Sequence, residues 1–288
     1  MSSNKTQPIL PRNPGTDFQL ERFCDIQINR SAVEQRCASY GTRRSIKKDK
    51  QAAWLIKVIS LIDLTTLAGD DTNDRVRRLC RKAIHPVNEQ LLKKLELESL
   101  NISTAAVCVY HEMISGAAKV LKGTGVHLAA VSTGFPAGLS PLPLRIEEIK
   151  YSVDQGADEI DIVISRRLVL EGKWEELYHE VRMFREACGE AHLKTILATG
   201  ELGNLSTIAK ASQVCMMAGA DFIKTSTGKE PTNATLPVSL VMVRMIREYY
   251  ESTGYMVGFK PAGGISDTKT ALQFMTMMQE ELGRRWLE

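Results

Sequence analysis

From about residue 57 to the end of the chain, short apolar segments alternate with amphipathic segments, and this alternation constrains the fold more than any other feature. Apolar runs of strand length separated by helical patterns are typical of parallel βα units. The pattern predicts strands near 57–64, 104–110, 127–134, 159–165, 192–199, 221–227 and 256–261. It predicts helices near 73–84, 88–98, 112–123, 142–155, 173–190, 205–218, 236–252 and 267–287.

A weak internal repeat supports a barrel of repeated units. Gly156-Ala-Asp158 and Gly219-Ala-Asp221 each precede a predicted strand, 63 residues apart (219 − 156). A glycine at such a place suits the end of a helix, and the interval accommodates two βα units. The predicted fold class is therefore α/β, a (β/α)8 TIM-type barrel with only seven countable strands. We expect residues 1–50 to form a tail, mobile to about residue 16, and a helical extension, and residues 51–288 to form the barrel.

Composition excludes several classes of protein. The chain has 288 residues, 43% of them hydrophobic, and a net charge of +3, so neither a nucleic-acid nor a membrane partner is predicted. The N-terminus lacks an apolar signal segment, and the six cysteines are scattered, which predicts reduced thiols in the cytoplasm. The basic segment Arg43–Lys50 is compatible with nuclear presence, or with a solvated helix start.

Alternation along each strand predicts which side chains point into the barrel, because successive side chains of a strand face opposite sides. In Glu159–Ser165 the three isoleucines share the outer parity, which leaves Asp161 inside. The same reasoning places Lys224, Lys260 and Cys108 inside. Lys194 also falls in a strand, but Ile196 suggests that this parity is the outer one, so Lys194 is not assigned to the site.

Two inward lysines suggest an amine nucleophile and a neighbouring cation that lowers its pKa. A lysine with a pKa of about 10.4 is only about 0.04% neutral at pH 7, and lowering the pKa by about 3 units raises that fraction roughly a thousandfold. Burial and a Lys260 ammonium would both act in this direction on Lys224. From spacing alone, a structural ion pair between Lys224 and Asp161 remains equally open. Asp63 could likewise be a residue that forms a turn at the end of a strand.

Seven motifs occur in an order that resembles the deoxyribose-phosphate aldolases, which are class I (Schiff-base) aldolases. The resemblance runs from about residue 50 to the C-terminus. The motifs are Leu61-Ile-Asp-Leu-Thr-Thr-Leu67, Thr104-Ala-Ala-Val-Cys-Val-Tyr110, Gly134-Phe-Pro-Ala-Gly138, Gly156-Ala-Asp-Glu-Ile-Asp-Ile-Val163, Thr199-Gly-Glu-Leu202, Gly219-Ala-Asp-Phe-Ile-Lys-Thr-Ser-Thr-Gly-Lys229 and Gly258-Phe-Lys-Pro-Ala-Gly-Gly264.

The resemblance implies reversible cleavage of 2-deoxy-D-ribose 5-phosphate to acetaldehyde and D-glyceraldehyde 3-phosphate, as in deoxyribose catabolism, without a metal or organic cofactor. Lys224 would form the Schiff base, Lys260 would be the neighbouring cation, Asp161 would transfer protons with a water, and Asp63 would support the lysines. The residues that would bind the phosphorylated substrate are Cys108, near the aldehyde, with Thr225, Gly228, Lys229, Gly263 and Gly264.

The chain departs from the family pattern at its end. The resemblance implies an eighth strand and a glycine-serine segment that completes the phosphate site after the predicted helix 267–287, and neither is recognisable. Either the sequence is a truncated form, or the N-terminal helices or another subunit of a homo-oligomer cover the gap. Two other functions therefore stay open, namely another Schiff-base barrel enzyme and a weakly active or non-catalytic homologue that acts only as a binding protein.

Overall fold

The computed structural model describes residues 11–43 and 47–287. The helices are α1 (Arg30–Arg43), α2 (Lys48–Ile59), α3 (Asn73–Ile84), α4 (Glu89–Lys94), α5 (Ile114–Leu121), α6 (Leu142–Asp154), α7 (Arg166–Leu170), α8 (Trp174–Cys188), α9 (Leu205–Met217), α10 (Leu236–Thr253) and α11 (Thr268–Leu282). The strands are β1 (Asp63–Thr65), β2 (Ala106–Tyr110), β3 (His127–Ser132), β4 (Glu159–Val163), β5 (His192–Ile196), β6 (Phe222–Lys224) and β7 (Gly258–Lys260).

All seven strands are parallel and lie in sequence order, so the sheet is an incomplete TIM-type barrel of the predicted α/β class. Within the described chain, β1 pairs only with β2 and β7 only with β6, which leaves one open seam between β1 and β7. None of the helices in the described ranges is long and apolar enough to cross a membrane.

Local sequence explains where the helices begin and end. The side chains of Thr72, Asn204 and Asp267 accept hydrogen bonds from the first turns of α3, α9 and α11, which satisfies backbone groups that have no partner within the helix. Gly156 and Gly219 have φ angles of +102° and +100°, which glycine adopts without steric strain, and each turns the chain from a helix toward a strand.

Two separate apolar clusters lie on the two faces of the sheet. The larger cluster packs the outer face against the helices and contains Ile160, Ile162 and Ile223, as their parity predicted. The smaller cluster fills the inner face and contains Ala106, Cys108, Ala129, Val131, Phe135, Val163 and Ile196. The inner face is therefore apolar over β2 and β3, and its charged residues concentrate on the other strands.

The segment before α1 is packed against the barrel, so the mobile tail predicted to about residue 16 is wrong for residues 11–16. Asn13 is 1% exposed, and its side chain donates to the carbonyl oxygens of Met216 and Ala220 and accepts from Tyr249. Its backbone N–H donates to Asp221 at 2.7 Å. The prediction for residues 1–10 lies outside the described residues.

The two helices that precede β1 pack on the last helices of the chain. Helix α1 contacts α10 and α11, and α2 contacts α11. Glu281 of α11 links α1 to α10. Its carboxylate accepts hydrogen bonds from Tyr40 at 3.0 Å and Arg36 at 3.1 Å, both in α1, and from Arg244 of α10 at 3.2 Å.

The first strand is the largest error among the predicted elements. Residues 57–59 end helix α2, and the strand covers only Asp63–Thr65. The segment 55–62 is mostly apolar and suits a half-buried helix as well as a strand, and periodicity cannot separate the two over so short a segment. The short helix α7 was not predicted at all, and the remaining predicted helices coincide with observed ones apart from their ends.

Candidate active site

Three lysines and three carboxylates from five strands form a charged cluster inside the barrel. Lys194, Lys224 and Lys260 come from β5, β6 and β7, and Asp63 comes from β1, while Glu159 and Asp161 come from β4. These six residues are called the ion layer below. Three positive and three negative groups balance, which is the condition under which buried charges are tolerated.

Lys224 and Asp161, which the sequence placed inside the barrel, are in direct contact. Lys224 Nζ donates to Asp161 Oδ2 at 2.6 Å, and the side chains are 9% and 0% exposed. Lys224 is the last residue of β6, at the end of the strand where barrel enzymes carry their chemistry. The pair is thus both desolvated and correctly located for a reaction.

Lys260 pairs with Asp63 across the open seam. Its Nζ lies 2.8 Å from Asp63 Oδ1 and also donates to the carbonyl oxygen of Leu61 at 3.4 Å. In β-sheet register Lys260 is the direct neighbour of Lys224. The two predicted lysines are therefore adjacent in the sheet, but each has its own carboxylate.

The prediction that Lys194 faces outward is wrong. Its ammonium contacts Glu159 and lies 3.2 Å from Asp63 Oδ2 and 3.3 Å from Asp161 Oδ1. Ile196, from which the outer parity was inferred, belongs to the inner apolar cluster. An apolar neighbour does not identify the outer face when part of the inner face is apolar too.

The charge on Lys224 also differs from the expectation. Burial lowers the pKa of the Lys224 amine, but Asp161 at hydrogen-bond distance raises it, and its pKa lies above the ordinary lysine value. The ammonium that opposes this most strongly is Lys194 rather than the predicted Lys260. The resting amine is thus protonated, and the prediction of a neutral resting Lys224 is wrong because Asp161 outweighs burial.

The carboxylates carry the complementary charge. Burial raises the pKa of Asp161, but the ammonium groups of Lys194 and Lys224 outweigh it and hold that pKa below its usual range. Asp63 behaves in the same way, with Lys194 and then Lys260 lowering its pKa against burial. Both side chains are therefore charged at neutral pH and able to accept a proton.

Cys108 lies on the inner face beside the ion layer, as its parity predicted. The thiol is 1% exposed, and burial together with the charge of Asp161 raises its pKa to about 12. Tyr110 and Phe135 stand nearby with an edge-to-face contact of 5.8 Å between ring centroids. At this position the cysteine is a neutral part of an apolar wall rather than a nucleophile.

The glycines predicted to bind phosphate follow β6 and β7, on the side of the barrel where both strands end. Gly228 and Gly263 both have a φ angle of +82°, and a Cβ at Gly263 would lie 2.6 Å from the side chain of Asn233. Lys229 is exposed, and its Nζ donates to the carbonyl oxygen of Leu67 at 3.1 Å. Gly264 is exposed as well, so three of these four residues face solvent.

Thr225 connects the ends of the two strands. Its Oγ1 accepts from the backbone N–H of Ala262 at 2.9 Å and donates to the carbonyl oxygen of Ala262 at 3.2 Å. This side chain is therefore occupied by the backbone that leads to Gly263. Its predicted contact with substrate stays a prediction.

Comparison with known proteins gives consistent matches. The model of the DeoC/LacD family of aldolases matches residues 57–284. Human deoxyribose-phosphate aldolase is 54% identical over 96% of this chain and 87% of its own length, and the mouse enzyme is 55% identical over 95% and 86%. Among solved structures, the tetrameric deoxyribose phosphate aldolase of Aeropyrum pernix superposes with a TM-score of 0.60 at 23% identity, covering 84% of this chain and 90% of its own, which shows the shared fold.

Proposed function

Because the chain belongs to the DeoC/LacD family of aldolases, we propose that it cleaves 2-deoxy-D-ribose 5-phosphate reversibly to acetaldehyde and D-glyceraldehyde 3-phosphate, with Lys224 as the Schiff-base lysine. The observation that carries the assignment of Lys224 is its buried contact of 2.6 Å with Asp161 at the end of β6. The identity of more than half to curated deoxyribose-phosphate aldolases supports the substrate. No feature of the described structure favours the alternative of a non-catalytic binding protein.

The first half of the reaction forms the iminium. The Lys224 ammonium passes a proton to Asp161 Oδ2, which leaves a neutral amine beside a neutral carboxylic acid. The amine lone pair attacks C1 of the open-chain sugar, and a C–N bond forms while the carbonyl π bond breaks. Loss of the C1 oxygen as water, with protons supplied through Asp161, gives the iminium.

The second half breaks the carbon–carbon bond. A base removes the proton of the C3 hydroxyl, the C2–C3 electron pair moves toward the iminium nitrogen, and glyceraldehyde 3-phosphate leaves. The enamine that remains on Lys224 takes a proton at C2, and water hydrolyses the resulting iminium to acetaldehyde and free amine. Asp161 with a water serves both proton transfers, since it alternates between acid and carboxylate. The protonated nitrogen accepts the electron pair, so this route requires no metal or organic cofactor.

Lys194 and Lys260 have supporting roles in this proposal. Both are held by carboxylates, Lys194 by three and Lys260 by Asp63, so they remain cations while Lys224 changes its charge. A fixed ammonium beside Lys224 disfavours its protonated form and therefore assists proton loss to Asp161. Asp63 holds both cations in place.

The phosphate is bound, in this proposal, where β6 and β7 end. Backbone N–H groups of Gly228, Gly263 and Gly264 can approach an anion closely because no side chain intervenes. Lys229 supplies a positive charge there once it leaves the carbonyl oxygen of Leu67. Assembly into a homo-oligomer and residence in the cytoplasm remain predictions; the similar Aeropyrum pernix protein is described as tetrameric.

Borohydride trapping tests the assignment of the lysine. Incubation with acetaldehyde followed by reduction should leave an ethyl group on Lys224, found by peptide mass spectrometry. Lys224→Met should lose both the adduct and the release of glyceraldehyde 3-phosphate from the sugar phosphate. Lys260→Met is the matched control, because it removes the neighbouring, partly buried ammonium and should still be ethylated at position 224. An adduct on Lys194 or Lys260 in the unmodified protein, or full activity of Lys224→Met, would contradict the proposal.

A further inference from the structure

Two histidines and a glutamate lie close together at the end of the barrel where the strands begin, opposite the end where Lys224 lies. His127, Glu159 and His192 are the first residues of β3, β4 and β5, and they share the inward parity of the ion layer. One ligating atom of each lies within 4.8 Å of the ligating atoms of the other two. The imidazole ring centroids of the two histidines are 6.3 Å apart.

This donor set is one that transition metals prefer. Imidazole nitrogen and carboxylate oxygen are common ligands of zinc, and two histidines with one acid make a three-ligand site that leaves further positions for water. His127 Nδ1 is buried, makes no hydrogen bond and lies 3.6 Å from Glu159 Oε1. A buried nitrogen without a hydrogen bond is costly, and a cation between it and the carboxylate would remove that cost.

The guanidinium of Arg12 lies against this cluster. Arg12 contacts His192 Nε2, and its Nε donates to the carbonyl oxygen of Glu190 at 2.6 Å. It belongs to the N-terminal segment that Asn13 anchors to the barrel. A bound cation must displace this guanidinium from His192, since one lone pair cannot serve both partners.

We propose that His127, Glu159 and His192 form a binding site for a divalent transition-metal cation of the Zn²⁺ type, and that Arg12 closes this site when no cation is bound. The site is separate from the proposed chemistry at Lys224. It touches the ion layer through Glu159, which also contacts Lys194. A cation held by Glu159 therefore competes with Lys194 for that carboxylate, while Asp63 and Asp161 remain as partners of the ammonium.

Calorimetric titration of the full chain, without an affinity tag, with Zn²⁺ tests the proposal. One equivalent should bind, and His127→Ala and His192→Ala should each weaken the affinity by about 10-fold or more, since even loss of a supporting contact to a metal ligand costs that much. His179→Ala is the matched control: this histidine is 62% exposed on α8, and its removal should leave the affinity unchanged. Co²⁺ spectra should show nitrogen and oxygen ligation without a thiolate charge-transfer band.

Arg12→Ala gives the outcome that a merely structural role would not produce. It removes no ligand and should bind Zn²⁺ more tightly than the unmodified chain, because the competing guanidinium is gone. If thermal melting shows that the histidine variants do not fold, the Zn²⁺ affinity of Arg12→Ala still tests whether the cation binds at this cluster. Absence of binding, affinity unchanged in the two histidine variants, a thiolate band, or unchanged or weaker binding by Arg12→Ala would overturn the proposal.

Discussion

Replacement of Lys194 by methionine is the most direct test of the ion layer. This lysine contacts three carboxylates, more charged partners than any other residue of the layer has, and the sequence assigned it to the wrong face. Its ammonium is 3% exposed and contacts Glu159, Asp63 at 3.2 Å and Asp161 at 3.3 Å. Methionine keeps most of the stem and removes the charge. The layer then holds three carboxylates and two ammonium groups, so one buried negative charge has no counter-charge.

Removing one partner of a buried ion pair costs about 3–5 kcal/mol. The free energy of unfolding of Lys194→Met at pH 7 should fall by that amount, which multiplies the unfolding equilibrium constant between roughly a hundredfold and a few thousandfold. Urea denaturation followed by circular dichroism measures it. The control is Lys150→Met, whose ammonium is 53% exposed and pairs with Glu147 at 2.8 Å, and which should lose less than about 1 kcal/mol.

The pH dependence of the loss has a definite sign. The pKa values of Asp63 and Asp161 are lowered in the fold, so the stability they contribute is present above the unfolded pKa of about 3.9 and is lost as pH falls further. Lys194→Met removes part of that contribution, so its deficit should be largest at neutral pH and shrink in acid. Adding Glu159→Gln restores charge balance and should recover about 0.5–3 kcal/mol. A deficit at pH 7 no larger than that of Lys150→Met would refute the reasoning.

Three further predictions concern other parts of the molecule. Asp161→Asn should lower kcat by roughly 10²–10⁴-fold, the usual contribution of a general acid–base group, and an unchanged rate of glyceraldehyde 3-phosphate release would contradict it. The Glu148 carboxylate, 3.3 Å from His111 Nδ1, raises the pKa of His111, so the stability that this contact contributes is present below the unfolded pKa of about 6.5 and is lost as pH rises through the folded value. His111→Asn should therefore destabilise more near pH 5.5 than near pH 9 in urea titrations, and equal losses would contradict this. Asn13→Ala should cost about 1–3 kcal/mol in thermal or urea unfolding because buried partners are left unsatisfied, and an unchanged free energy of unfolding would contradict this.

The sequence predicted the fold class and most of the ion layer because both depend on local patterns. Alternation of apolar residues located the strands, and parity placed Asp161, Lys224 and Lys260 on one face. Parity failed for Lys194 because the inner face of β5 carries Ile196 above the charged layer, so apolar side chains occur on both sides of this strand. The signal that would have found Lys194 is the charge balance, since two inward lysines cannot neutralise three inward acids.

The packing of residues 11–16 depends instead on contacts distant in sequence. Asn13 forms hydrogen bonds with Met216, Ala220 and Tyr249, which are more than 200 residues away in sequence. A polar, proline-containing segment gives no local pattern from which such partners can be predicted. The charge of Lys224 was mispredicted for a related reason. The sequence pattern predicted the burial of Lys224 and the neighbouring lysine, which both lower its pKa. The hydrogen bond to Asp161 outweighs them, and it depends on a distance between two side chains that the sequence does not give.

A protonated resting Lys224 is compatible with a nucleophilic role because of the way the ion layer is built. When a proton moves from Lys224 to Asp161 across 2.6 Å, one positive and one negative charge vanish together, so the layer is balanced before and after the transfer. A lysine that is neutral at rest would instead leave the layer with three carboxylates and two ammonium groups, although Lys194 would still lie 3.3 Å from Asp161. One buried negative charge would then be uncompensated, which is strongly destabilising. The balanced layer therefore lets the fold keep its buried charges paired at rest and still release a neutral amine within hydrogen-bond distance of the acid that the later proton transfers require.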